Sequence, residues 1–181
     1  MNRIELARRI FELSHLTGEF ELRSGATSNE YFDKYLFEAD PSTLISIAAH
    51  IYAALPEHLF RTADFLAGLE MGGIPVVTML SQTTGKPALF VRKQAKSYGT
   101  RKLAEGQVFT GKKLLIVEDV VSSGGQIILS SNELRQQGGH ITDAICVIDR
   151  ESGGLEKLAA EGIKLHALFT MSEIKEAAST L

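Results

Sequence analysis

The chain has 181 residues, 44% of them apolar, and carries 19 Lys and Arg against 22 Asp and Glu for a net charge of -3. That length suits one well-buried domain and is short for two, and the faintly acidic balance lacks the basic excess of a nucleic-acid binder. Apolar stretches fall far below the roughly 20 residues of a membrane helix, and the single Cys146, set in an apolar run, is expected as a buried thiol in a cytoplasmic protein.

In chain order, the pattern predicts a helix over 2–14, amphipathic and unlike a signal sequence, then an extended region over 19–37 and a helix over 42–55. A strand at 64–69, a helix at 74–83 and a strand at 88–92 follow, with a basic loop leading to a strand at 113–118. A helix over 126–137, a strand over 141–148, a short helix over 155–160, a strand over 164–169 and a last helix over 171–178 complete the series. Such alternation implies an α/β fold, a mostly parallel sheet with helices on both faces. No repeat or linker divides 1–181, so a single domain is expected. The five histidines, His15, His50, His58, His140 and His166, lack metal-ligand spacing, and no zinc site is proposed.

The segment 115–126, LIVEDVVSSGGQ, carries the most chemistry. Leu114, Leu115, Ile116 and Val117 form an apolar run too short for a helix, which suits a strand covered on both faces. Glu118 and Asp119 then stand at the open carboxyl edge of the sheet, where α/β folds bind ligands. Val120 and Val121 lead to Ser122, Ser123, Gly124, Gly125 and Gln126, which offer hydroxyls and unobstructed N–H groups at a helix start. A phosphate placed there meets unpaired donors and partial positive charge. The two acids would repel that phosphate, so they make sense as acceptors for the hydroxyls of an attached sugar or acting through a bound divalent cation. The plainer alternative is a strand-to-helix turn with Asp119 and the serines as caps. Neither a GxGxxG nor a GxxxxGK[ST] pattern is present.

Three other segments stand out. In FELRSGATSNEYFDK, 20–34, turn formers precede Tyr31 and Phe32, two aromatics on opposite faces of an extended stretch; one can enter the core while the other frames a flat ligand. In VRKQAKSYGTRKLAEG, 91–106, Arg92, Lys93, Lys96, Arg101 and Lys102 concentrate positive charge with no acid before Glu105, which alone reads equally well as a solvated basic loop. In AICVIDRESGG, 144–154, Arg150 presents a planar fork at a strand end, fit for a carboxylate or for an ion pair with Asp149 or Glu151.

The 115–126 element resembles the sugar-phosphate motif of the type I phosphoribosyltransferases, which bind 5-phospho-α-D-ribose 1-diphosphate (PRPP). The other three segments are similar to those of orotate phosphoribosyltransferases in particular. That resemblance implies the type I phosphoribosyltransferase fold, with a small hood built from 1–55 and about 164–181 over the carboxyl edge of the sheet. It implies PRPP binding by Arg92, Lys93, Lys96, Tyr98, Glu118, Asp119 and the 120–126 turn, and orotate binding by Arg23, Tyr31, Phe32, Ser122 and Arg150. Lys93, Lys96, Glu118 and Asp119 would be the catalytic groups, with Mg²⁺ carried by the substrate's diphosphate and ribose hydroxyls. The basic segment matches the family's mobile loop at Arg92, Lys93, Lys96, Tyr98 and Gly99, and in the family it serves the partner subunit's site, which implies a homodimer. An orotidine-phosphate decarboxylase is the candidate partner enzyme. The chain departs from the family pattern at Arg23 (usually Lys), at Gly72 (often Lys, after Tyr), at Gln94 (usually an acid) and at Gly125 (usually Thr). Transfer to another base, or PRPP sensing without turnover, are the alternatives; the sensor would have no need of a lysine-bearing loop.

Overall fold

Asn2 starts the first helix, α1 (Arg3–Ser14), through a capping box in which its side chain accepts from the Glu5 N–H while Glu5 accepts from the Asn2 N–H. The computed structural model describes residues 1–21, 25–94 and 102–179. Arg23, Lys96 and Tyr98 therefore lie outside the described residues.

Strands β1 (His15–Glu21) and β2 (Thr27–Phe32) pair antiparallel as a separate two-stranded sheet. The extended region does not run on to 37 as the sequence suggests. Asp33 accepts from the Tyr35 N–H and caps a short helix, α2 (Lys34–Ala39), too brief to show a hydrophobic period. Asp40 then caps α3 (Pro41–Ala54), accepting from the Thr43 N–H and the Ser42 and Thr43 hydroxyls, with Pro41 in the first turn. A further short helix unseen in the sequence, α4 (Glu57–Thr62), precedes the central sheet.

That sheet contains β3 (Phe65–Leu69), β4 (Ala88–Val91), β5 (Ala104–Glu105), β6 (Lys113–Val121), β7 (His140–Asp149) and β8 (Lys164–Thr170), in the order β5-β4-β3-β6-β7-β8. All neighbours are parallel except β5, a two-residue edge strand that the sequence did not reveal. Helices α5 (Gly73–Thr84), α6 (Gly125–Gln136), α7 (Gly154–Ala160) and α8 (Met171–Ser179) follow β3, β6, β7 and β8. Side chains alternate along the strands, as strand geometry requires: Leu66, Leu115, Val117 and Ile145 join α3 and α5 in one core, whereas Ala67, Leu114, Ile116 and Cys146 join α6 and α7 in the other.

The hood boundaries need correction. β8 is the edge strand of the central sheet, and α3 contributes Ile47, Ala48 and Ile51 to the core shared with α5. Outside the central sheet, α1 packs on α8 and α2, and these helices with the β1–β2 hairpin correspond to the hood that the resemblance implies. Arg3 fastens α1 to this assembly, donating to the Leu168 carbonyl at 2.8 Å and to Glu173 at 2.9 Å while its guanidinium covers the Phe169 ring.

Gly68, in the middle of β3, lets α5 lie directly on the sheet. A Cβ there would stand 2.4 Å from Val77 Cγ1 and 2.7 Å from the Gly73 carbonyl oxygen. Gly68→Ala is expected to cost about 1–3 kcal/mol, lowering the melting temperature by several degrees in scanning calorimetry; an unchanged melting temperature would mean that α5 yields freely.

Candidate active site

The chain leaves β3 toward β4 on one side of the sheet and leaves β6 toward β7 and β8 on the other. The order therefore reverses between β3 and β6, and the crevice beyond their carboxyl ends is where an open α/β sheet receives a ligand. Two turns face each other there: 70–73, between β3 and α5, and 122–124, between β6 and α6.

The second turn is built for an anion. Glu118 and residues 120–127 line a cleft of about 190 Å³ at the N-terminus of the 12-residue α6. Gly124 adopts φ 73° there, and a Cβ on it would press on Leu158 at 3.0 Å. Gly154 is equally constrained, since its Cβ would lie 2.6 Å from the Ser122 carbonyl oxygen. Gly154 thus lets the 150–154 loop back directly onto the 122–124 turn. Gly125 is different: a Cβ would meet only Ser123 Oγ, at 3.7 Å, so the position has room for the side chain it lacks.

The two acids part ways. β6 runs past them to Val121, so they lie within the strand and not beyond its end. Glu118 lines the cleft, and its buried Oε2 has no hydrogen-bond donor among the described residues. Asp119, read from the sequence as a second cleft-facing acid, is instead fully buried. Its Oδ1 accepts from the Val120 N–H and its Oδ2 lies 2.6 Å from Lys34 Nζ. A Cβ on Gly72 would fall 1.7 Å from that same Oδ2; the glycine leaves the space the carboxylate occupies. Glu38, on α2, is buried against the same place. Neither Lys34 nor Glu38 was singled out by sequence reasoning, because their chemistry appears only when α2 is laid beside β6.

A second cleft, of about 250 Å³, is lined by Phe11, His15, Ser28, Glu30, Tyr31, Phe32, Arg150, Met171 and Lys175. It gathers Tyr31, Phe32 and Arg150, three of the five residues that the resemblance implied for orotate. Phe32 packs on the core, whereas the exposed Tyr31 ring lies 5.6 Å from that of Phe20. Ser122 lines the first cleft, not this one. The two clefts share a wall, because the Arg150 N–H donates to the Val121 carbonyl at 2.8 Å. Glu151, at φ 57°, accepts from the Ser172 N–H at 2.9 Å and from the Ser172 hydroxyl, tying the Arg150 loop to α8.

The basic segment is less free than its sequence suggests. Arg92 Nε lies 3.3 Å from Glu105 Oε1, so the first cation pairs with the acid that ends the run. The Lys93 N–H donates to Glu70 Oε1 at 2.6 Å, holding that residue beside the 70–73 turn, where its charge acts on Glu118.

Buried acids in this number hold protons. Burial, and next the neighbouring Asp119, push the Glu118 carboxyl up to about 8 against the pull of Lys34 and Lys93. Burial, followed by a hydrogen bond and charge repulsion from Asp119, pushes Glu38 up to about 10. Both start from an ordinary value of 4.5, so above it the folded chain binds more protons than the unfolded one. Their stability contribution is complete below that value and is lost as pH rises through 8 for Glu118 and 10 for Glu38. Melting temperatures of the ligand-free protein should therefore fall between about pH 6 and about pH 8.5, more steeply in the wild type than in Glu118→Gln; parallel curves would contradict this assignment.

The chain is similar in sequence and fold to known proteins. The phosphoribosyl transferase domain family matches residues 39–171. The orotate phosphoribosyltransferase of Nocardioides sp. is 44% identical over 172 residues, 95% of this chain and 94% of that one. The crystal structure of orotate phosphoribosyltransferase from Aeropyrum pernix superposes with a TM-score of 0.82 at 30% identity, covering 94% of this chain and 96% of that one. The Mycobacterium tuberculosis orotate phosphoribosyltransferase crystallised in complex with PRPP superposes with a TM-score of 0.77 at 25% identity, covering 96% and 98% of the two chains. Sequence and fold agree over nearly the whole length, and on that agreement the chain belongs to the orotate phosphoribosyltransferases.

Proposed function

We propose that the chain transfers the ribose 5-phosphate group of PRPP to N1 of orotate, releasing diphosphate and forming orotidine 5′-monophosphate, as a cytoplasmic homodimer that uses Mg²⁺. The observation that carries this reading is the shared wall of the two clefts: a phosphate turn and an aromatic, arginine-bearing cleft joined through Val121 and Arg150.

In this reaction the bond from the anomeric carbon to diphosphate breaks, the bond to N1 forms with inversion, and the N1 proton leaves to solvent. Positive charge grows on the ribose ring and negative charge on the leaving group. The 5-phosphate sits against the N–H groups of 122–126 at the start of α6. Glu118, whose Oε2 lacks a donor among the described residues, accepts from a ribose hydroxyl, and it favours the cationic ring once the bound substrate and cation have displaced the proton that burial keeps on it in the ligand-free site. The 70–73 turn presents the N-terminus of the 12-residue α5 to the diphosphate, with Lys93 alongside. Arg150 forks onto the orotate carboxylate from one wall of the aromatic cleft. Much of the rate then comes from holding two substrates in line.

The donor set fits Mg²⁺. A hard cation that keeps waters and substrate oxygens needs few protein ligands, and no cluster of three metal-binding side chains occurs among the described residues, whereas Glu118 offers an unclaimed carboxylate oxygen. Bound with the substrate, the ion would neutralise the departing diphosphate. In this reading Lys93 serves its own chain's site, beside the 70–73 turn, and Lys96 of the basic segment completes the neighbouring subunit's site. An orotidine-phosphate decarboxylase would consume the product.

Purified protein given PRPP, Mg²⁺ and orotate should consume orotate, followed by its absorbance, with uracil and hypoxanthine untouched. PRPP binding without consumption of any base would favour a sensor. Use of a competitor base in place of orotate would move the assignment to another phosphoribosyltransferase. Mixing inactive Lys96→Ala and Glu118→Gln chains should restore roughly a quarter of the sites if subunits pair at random; mixtures as dead as their parents would refute a lysine acting across the interface.

A further inference from the structure

Lys34 opens α2, directly after the strand that carries Tyr31 and Phe32. Its side chain crosses to the sheet and sets Nζ 2.6 Å from Asp119 Oδ2, where Asp119 is fully buried and Lys34 keeps 31% of its side chain exposed. Of this pair, only the lysine reaches the solvent side. The approach depends on Gly72, since any Cβ at that position would displace the carboxylate. Glu118, which lines the phosphate cleft, feels the Lys34 charge from one side and the Lys93 charge from the other. An ammonium has three donors, more than one carboxylate oxygen can take up, and the Asp119 oxygen it meets lies against Gly72 of the 70–73 turn.

We propose that Lys34 is a substrate-binding cation of the PRPP site, presented to the diphosphate and ribose end of the ligand by Asp119, which acts as its positioning residue. Asp119 thereby contributes from beneath, through the lysine, while Glu118 meets the sugar itself. Charge on Lys34 is secure: burial works against it, but Asp119 in contact, and Glu118 beyond, raise its pKa above the ordinary lysine value. Two cations from different elements, Lys34 from the hood and Lys93 from the segment after β4, would then flank the leaving group.

The inference rests on PRPP occupying the cleft, so the test reads PRPP binding directly, by calorimetry with Mg²⁺ and no base present. Lys34→Met should weaken PRPP binding at least about tenfold, or 1.4 kcal/mol, with the orotate KM changed less than about twofold. Lys34→Arg should recover most of the loss, since charge and reach are kept. Asp119→Asn should match Lys34→Met, and the double variant should be no worse than either alone, as expected of residues acting as one unit. Lys34→Met leaves a buried carboxylate unpaired and can fail to fold; the double variant removes both charges and then carries the measurement. Wild-type PRPP affinity in Lys34→Met or in the double variant overturns the proposal, as does an equal loss toward orotate. Wild-type protein that binds PRPP but turns over no orotate refutes the orotate reading alone, and wild-type protein that binds no PRPP refutes both.

Discussion

Three carboxyl groups, Glu38, Glu118 and Asp119, crowd the point where the sheet reverses direction, and a single ammonium from the hood reaches in to meet them. Placing this much like charge out of water is unfavourable unless it is paired, protonated or relieved by a ligand. All three remedies are in use or on offer here. Asp119 takes Lys34, burial keeps Glu38 and Glu118 protonated well beyond the ordinary carboxylate range, and Glu118 Oε2, without a donor among the described residues, lies beside an open cleft. A substrate bringing hydroxyl donors and a divalent cation supplies what the unliganded arrangement lacks.

The same constraint explains how the hood is joined to the sheet. Two of the contacts that join hood to sheet flank the site: Lys34 on Asp119, and the Arg150 loop clamped to α8 through Glu151 and Ser172. Between them lie the two clefts. Any shift of the hood would therefore move an aromatic wall, a cation and an arginine together. In a fold whose function is to align two substrates within bonding distance, such shared attachment is a form of positioning.

Close backbone contacts do comparable work at the floor of the site. Gly154 lets its loop lie on the Ser122 carbonyl, Gly124 takes the left-handed conformation that turns the chain into α6, and Gly72 clears room for the Asp119 carboxylate. Each glycine is required for a different reason: contact between loops, conformation, and space for a charged group. Gly125, next to them, is required for none of these, so the missing hydroxyl there is a matter of chemistry and not of fit.

The sequence by itself determined the alternation of strands and helices, because this depends on periodicity and local turn chemistry, while its segment motifs singled out the 122–126 turn and Tyr31, Phe32 and Arg150, which the fold brings to two adjoining clefts. Short elements escaped it: α2, α4 and β5 contain too few residues to display a period, and β6 runs on through its acids because sheet pairing outlasts the apolar run. Only the tertiary structure decided that Asp119 faces inward, that Arg92 is held by Glu105, and that Lys34 and Glu38 belong to the site at all. The reason is physical. A carboxylate's role is set by which charge lies beside it and how much water is excluded, and both are properties of segments distant in sequence that meet only when the hood closes on the sheet.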